Sequence, residues 1–149
     1  MHHIPRAITQ TRPTSTKRAG ALTAALFLAL GPVACGSTVS TSSFKGEAKA
    51  VAQRISDLQS NVTSSNAQKL CANDFSRAAR ARLNAAGGCT QALKRQLGAI
   101  SNFELTVEKV AVSGATATAR VKSGWSGKLR STTLVLVKEG GGWRIARLG

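Results

Sequence analysis

The spacing of apolar residues changes period once along this chain, near Ile100, and that change divides its folded part into two halves. Ala48, Val51, Ile55, Leu58 and Val62 recur at steps of three and four. This predicts an amphipathic helix from Phe44 to about Asn61. Ser65-Asn66-Ala67-Gln68 has the form of a capping box and opens a short helix carrying Leu70 and Cys71. Asp74 is placed to cap a further helix with apolar positions Ala78, Ala79 and Leu83, ended by Gly87-Gly88. Thr90 to Leu97 adds a turn or two and stops at Gly98.

Beyond Ile100 the pattern alternates. Phe103, Leu105 and Val107 mark one strand, and Val110 and Val112 resume it after a bulge. Ser113-Gly114 turns the chain into Ala115, Ala117, Ala119 and Val121, which alternate with Thr116, Thr118, Arg120 and Lys122. A turn over residues 123–127 leads to a third strand, Leu129 to Lys138, with an apolar centre Leu134-Val135-Leu136-Val137. Gly140-Gly141-Gly142 turns into a last strand, residues 143–148, with Trp143 and Ile145 on one face. Helices followed by consecutive antiparallel strands predict an α+β fold, N-terminal helices packed on a four-stranded sheet.

That order, with the segment FELTVEKVAVSGATATARV and the closing run TTLVLVKEGGGWRIARL, resembles the nuclear transport factor 2-like superfamily. Members of that group commonly end in a strand built on a Trp-(Lys/Arg)-(Ile/Val) core, matched here by Trp143-Arg144-Ile145. The resemblance covers about residues 44–149. It implies a curved antiparallel sheet wrapped around a long first helix, a cone with a cavity. Small exported lipoproteins of actinobacteria resemble this arrangement, often with a cysteine pair in the helical half.

The N-terminal segment has another logic. Arg6, Arg12, Lys17 and Arg18 precede ten largely apolar residues, Ala21 to Leu30, and then Gly31-Pro32-Val33-Ala34-Cys35. Positive, then apolar, then small is the layout of a secretory signal peptide. The apolar run is half of the roughly twenty residues a spanning helix needs. With Cys35 at the junction and a Ser/Thr-rich stretch after it, the segment resembles a bacterial lipoprotein signal, although Pro32 departs from the Leu or Val expected three places before the cysteine. Pro32-Val33-Ala34 is an equally poor site for the ordinary signal peptidase. The reading is therefore a signal peptide over 1–34, a lipidated Cys35 with a flexible linker over 35–43, and one domain over 44–149. It places the protein on the outer face of the cell membrane, lipid-anchored, or secreted if Cys35 is not lipidated.

Compartment and parity bear on the remaining cysteines. With Cys35 committed to lipid, Cys71 and Cys89 form an even set in an oxidising compartment, where disulfides persist. Free buried thiols are the alternative. A zinc site fits poorly, since the two lie eighteen positions apart and both histidines, His2 and His3, fall in the leader. No metal and no cofactor is expected.

Charge narrows the partners. Twenty-one basic residues oppose six acidic ones over the 149-residue chain. Removing the four basic residues of the leader leaves seventeen against six, a net +11. Such a field draws anions, including lipid headgroups and envelope polymers. Nucleic acid is not expected, given the exported location and only six aromatic residues to stack bases. Arg77, Arg80, Arg82, Lys94 and Arg95 are the candidate anionic-surface contact, with the solvated face of a helix as the plainer reading.

Catalysis finds little support in the residues. Isomerase members of the resembled superfamily use a carboxylate base with a tyrosine, and this chain has no tyrosine. Dehydratase-type members use a His–Asp pair, and no histidine follows His3. Glu47 and Asp57 fall off the apolar stripe, Asp74 reads as a cap, Glu139 precedes a turn, and Glu104 and Glu108 point to solvent. Asn61-Val62-Thr63 has sequon form and matters only in a glycosylating host. The expected function is non-catalytic: a membrane-tethered envelope module that binds an apolar small molecule or an envelope protein. Docking of its basic surface on anionic polymers or a membrane complex is the alternative, and a small isomerase-like enzyme the third. The pocket would lie between Val51, Ile55 and Leu58 of the first helix and Phe103, Leu105, Ala115, Ala117, Ala119 and Trp143 of the sheet, unless the helix packs close against the alanines.

Overall fold

The computed structural model describes residues 39–148. The leader, Cys35 and the first part of the linker lie outside the described residues.

Helix α1 runs Gly46–Thr63, with Val51, Ala52, Ile55 and Leu58 buried along one stripe. Glu47 stands in its first turn, where a carboxylate is favoured by the helix dipole. A short helix, α2 (Ala67–Lys69), follows and continues into one π-helical turn, Leu70–Asp74. The α2 cap lies one residue later than the capping-box reading places it. Asn66, not Ser65, accepts from the Lys69 backbone N–H, because Ser65 has φ 52° and serves the turn.

Helix α3 (Arg77–Ala85) is capped by Ser76, whose side chain accepts from the Ala79 N–H. Asp74 is therefore not the cap that its position suggests. Two residues of extended chain, Phe75 and Ser76, intervene and run beside the last strand, where the Ser76 N–H donates to the Ile145 carbonyl. Gly87 and Gly88, at φ 99° and 96°, turn the chain into α4 (Cys89–Leu97). That double left-handed step is open to glycine and strained for other residues.

Four strands complete the unit: β1 (Glu104–Ser113), β2 (Thr116–Trp125), β3 (Lys128–Glu139) and β4 (Gly142–Leu148). They form an antiparallel meander in the order β1-β2-β3-β4. The α+β architecture, helices on a four-stranded antiparallel sheet, is the one the sequence predicts. Strand β2 runs to Trp125, so the turn expected over residues 123–127 narrows to Ser126-Gly127. Ala115 is a correction too. It sits exposed in the β1–β2 turn and not on the inward face of β2.

Two irregularities bend the sheet, since a bulge adds twist to the strand that carries it. One falls between Val107 and Lys109 of β1, where the sequence predicts it. The other leaves Ala146 of β4 without a partner, because Leu136 pairs with Ile145 and Val135 with Arg147. Strand β4 is an edge strand, and its open side is covered. Ser76 donates to Ile145, Arg82 Nη2 donates to the Ala146 carbonyl at 3.1 Å, and Arg144 donates back to the carbonyls of Ala72 and Asn73. Bonding of this kind blunts an edge that would otherwise template further pairing.

Candidate functional site

The interface between α1 and the sheet is filled. Val51, Ile55, Ala119 and Leu136 have no exposed surface, and Ala117 and Trp143 are nearly as buried. All belong to one apolar cluster. Small side chains at 117 and 119 allow the helix to lie close to the strand, and protein interiors pack to crystal-like density. The structure thus places the predicted pocket residues Val51, Ile55, Ala117, Ala119 and Trp143 in the close-packed core, and Ala115 away from it. Glu47 fixes this end of α1, accepting from Trp143 Nε1 and from Lys138 Nζ, each at 2.7 Å. The Lys138 hydrogen bond, then the Trp143 one, hold the Glu47 carboxyl below the ordinary carboxylate range.

A cavity of about 650 Å³ opens at the other end of α1. Its helical walls are Leu58 and Val62 of α1, Leu70 and Phe75, the α3 residues Ala79 and Leu83, and the α4 residues Leu93 and Leu97. The sheet contributes Leu105, Val121, Leu134 and Ile145, and Phe103 and Ile100 close the side before β1. Of the predicted pocket set, Leu58, Phe103 and Leu105 line it. The alternation of β2 positions the inward side chains Val121 and Ser123, and Trp125 at the strand end carries the wall to the mouth. Polar residues are few in the lining: Gln96, Ser123, Ser131, Thr132, Arg82, Arg130 and Arg147. No Asp, Glu or His is among the lining residues.

Sequence reasoning missed most of this wall. Leu93 and Leu97 lie on a helix of nine residues whose burial depends on how α3 and α4 fold back, which periodicity alone does not specify. Trp125 was hidden by the early turn assignment. The signal that could have found them is the pair Leu93 and Leu97, four apart, facing the same way as Cys89.

The buried acid is Asp74, with no exposed surface. Its oxygens accept from Arg54 Nη1 at 3.0 Å and Asn61 Nδ2 at 2.7 Å, both on α1. Burial raises its pKa, against the opposing pull of Asn61 and Arg54. A perturbed buried carboxylate is a common mark of an active site. Asp74 does not line the cavity, however, and its two oxygens are engaged by α1, so it ties the π-helical turn to the first helix.

Cys71 and Cys89 are joined, S–S 2.04 Å, linking that turn to the start of α4. The basic residues divide. Arg77, Lys94 and Arg95 are exposed, Arg80 is half-buried, and Arg82 reaches the β4 edge beside the cavity. Among the described residues there is no cluster of three His, Cys, Asp or Glu side chains that could hold a metal, and no helix is long and apolar enough to cross a membrane.

Comparison with known proteins gives three findings. No curated protein matches the chain. A crystal structure of an NTF-2 like protein of unknown function from Silicibacter pomeroyi DSS-3 is similar over 66% of this chain and 89% of that chain, with 16% identity and a TM-score of 0.49. Over residues 89–147, which comprise α4 and nearly all of the sheet, the chain matches the family model described as putative lumazine-binding.

Proposed function

We propose that this is a non-catalytic protein of the cell envelope, tethered outside the membrane through Cys35, whose domain binds an apolar or amphipathic small molecule. The observation that carries the reading is the cavity itself, about 650 Å³ walled by leucines, valines and aromatic rings. Ligand sites are typically concave, mostly apolar and of this order of volume. General acid–base catalysis needs a positioned group of suitable pKa, and the lining offers no carboxylate or imidazole for that role. The matched family's description favours a small heterocyclic ligand as a second form of the same reading, and Phe75, Phe103 and Trp125 would give flat rings a surface to stack on.

The test is uptake of N-phenyl-1-naphthylamine, a neutral apolar fluorophore, with lumazine as competitor. The parent chain should enhance its emission saturably. Ala79→Trp, which fills the cavity from α3, should abolish the enhancement while the circular dichroism spectrum is retained. Equal uptake by Ala79→Trp would show that the dye binds elsewhere and would refute the site. Tethering is tested separately by fatty-acid labelling in a bacterial host: label and membrane fractionation in the parent, neither in Cys35→Ala.

A further inference from the structure

The cavity's polar residues are one-sided in charge. Arg82, Arg130 and Arg147 line it, and no acid does. Among the described residues the ion pairs use Arg54, Lys122 and Lys138, so none of the three cavity arginines has a carboxylate partner. Each has a definite setting nonetheless. Arg82 is held by its Nε on the Ala78 carbonyl at 3.3 Å and its Nη2 on the Ala146 carbonyl at 3.1 Å. Its Nη1 is not used by either bond. Arg130 lies over the Trp125 ring, 6.0 Å from the centroid, at the cavity mouth. Arg147 follows the Ala146 bulge and pairs with Val135, on the face of the sheet opposite Leu134 and Leu136, so its side chain is directed away from the cavity.

We infer that the ligand is an amphipathic anion, its apolar body seated between α4 and the sheet and its acid group met by Arg130 at the Trp125 end of the cavity. The inference rests on the cavity-binding reading and adds the charge of the ligand to it. Arginine forks suit carboxylate, phosphate and sulfonate oxygens, which accept two parallel N–H bonds. The hydroxyls of Ser131 and Thr132 on β3, also in the lining, add neutral donors to the same ligand.

A matched pair of probes separates the two claims. 8-Anilino-1-naphthalenesulfonate has the ring framework of N-phenyl-1-naphthylamine plus one sulfonate. Both are titrated onto the full-length chain carrying Cys35→Ala, so that no attached lipid competes. The sulfonate probe should bind more tightly. In Arg130→Gln that preference should fall by about tenfold, the worth of one hydrogen bond to a charged group. Affinity for the neutral probe should change by less than that for the sulfonate probe. Lys109→Gln removes the same charge from an exposed site outside the lining and should leave the preference intact. Equal affinity for the two probes, or an unchanged preference in the arginine variant, overturns the anion assignment and leaves the apolar cavity standing. An equal loss in the lysine control also overturns it, since net charge alone would then explain the preference. If neither probe binds, the cavity reading falls and the anion assignment falls with it.

Discussion

Asp74 ties the π-helical turn to α1 through its side chain. It is the acid with no exposed surface, and it collects a guanidinium and an amide from α1 across 20 and 13 positions of sequence. Removing one partner of a buried pair typically costs 3–5 kcal/mol. Because Arg54 keeps a second, longer contact to Asp57 at 3.5 Å, Asp74→Ala should destabilise by about 3 kcal/mol, the lower end of that range. Urea denaturation checks it. Asp74→Asn should cost less, since an amide can still accept from one donor. The pH dependence has a definite sign. Burial raises the folded-state pKa of Asp74, so the folded state holds its proton more tightly than the unfolded chain. The stabilisation this gives is full at low pH and is lost as pH rises through the raised pKa. The stability of the parent relative to Asp74→Asn should therefore be greatest in acid and decline as pH rises through and just above the ordinary carboxylate range. A difference that grows over that interval would show that the Arg54 contact outweighs burial. The local pattern, an Asp two residues before Ser76-Arg77, predicts a helix cap at Asp74. Local patterns report neighbours three or four positions away, and both partners of Asp74 lie far beyond that.

At the scale of elements, legibility followed the same rule. The meander, the β1 bulge and the burial of Ala117, Ala119 and Val121 were readable because strand alternation is local and regular. What periodicity left open was the packing of α1 on that alanine face. The structure closes the gap, with Val51 and Ile55 fully buried in the same cluster as the alanines. It then leaves a space where short helices meet the sheet at the other end. Of those short helices α3 has no buried residue, whereas α4 buries Cys89, Ala92, Leu93 and Leu97. Their place depends on cross-links, and the Cys71–Cys89 bond is the covalent one. Closing a loop of this size contributes about 3 kcal/mol in the chain-entropy account, a large share of the stability of a small domain. Cys71→Ala/Cys89→Ala, or the parent under a phosphine reductant, should unfold at lower denaturant by that amount. Two free thiols in material exported to an oxidising compartment would remove the premise.

For the whole molecule, the two ends of the α1–sheet interface have opposite characters, and that contrast sets where motion and binding belong. One end is close-packed and pinned by Glu47 to Trp143 and Lys138. The other surrounds the cavity, and its α3 wall is held by the Ser76 cap, by the Glu139 bond to the Arg77 N–H at 2.9 Å, and by Arg82. Regions with little buried apolar surface open at low free-energy cost. Amides of α3 should accordingly exchange with solvent faster than those of α1 or the centre of β2. A ligand that binds only the closed form stabilises it in proportion to its saturation, and Ala79, Arg82 and Leu83 of α3 line the cavity. Saturation with the anionic probe should therefore slow exchange in α3 and α4 well beyond any change in α1. Hydrogen exchange read by mass spectrometry separates these segments. Uniform protection of all helices would point to global stabilisation by binding elsewhere, and protection confined to the β1–β2 turn would place the probe outside the cavity.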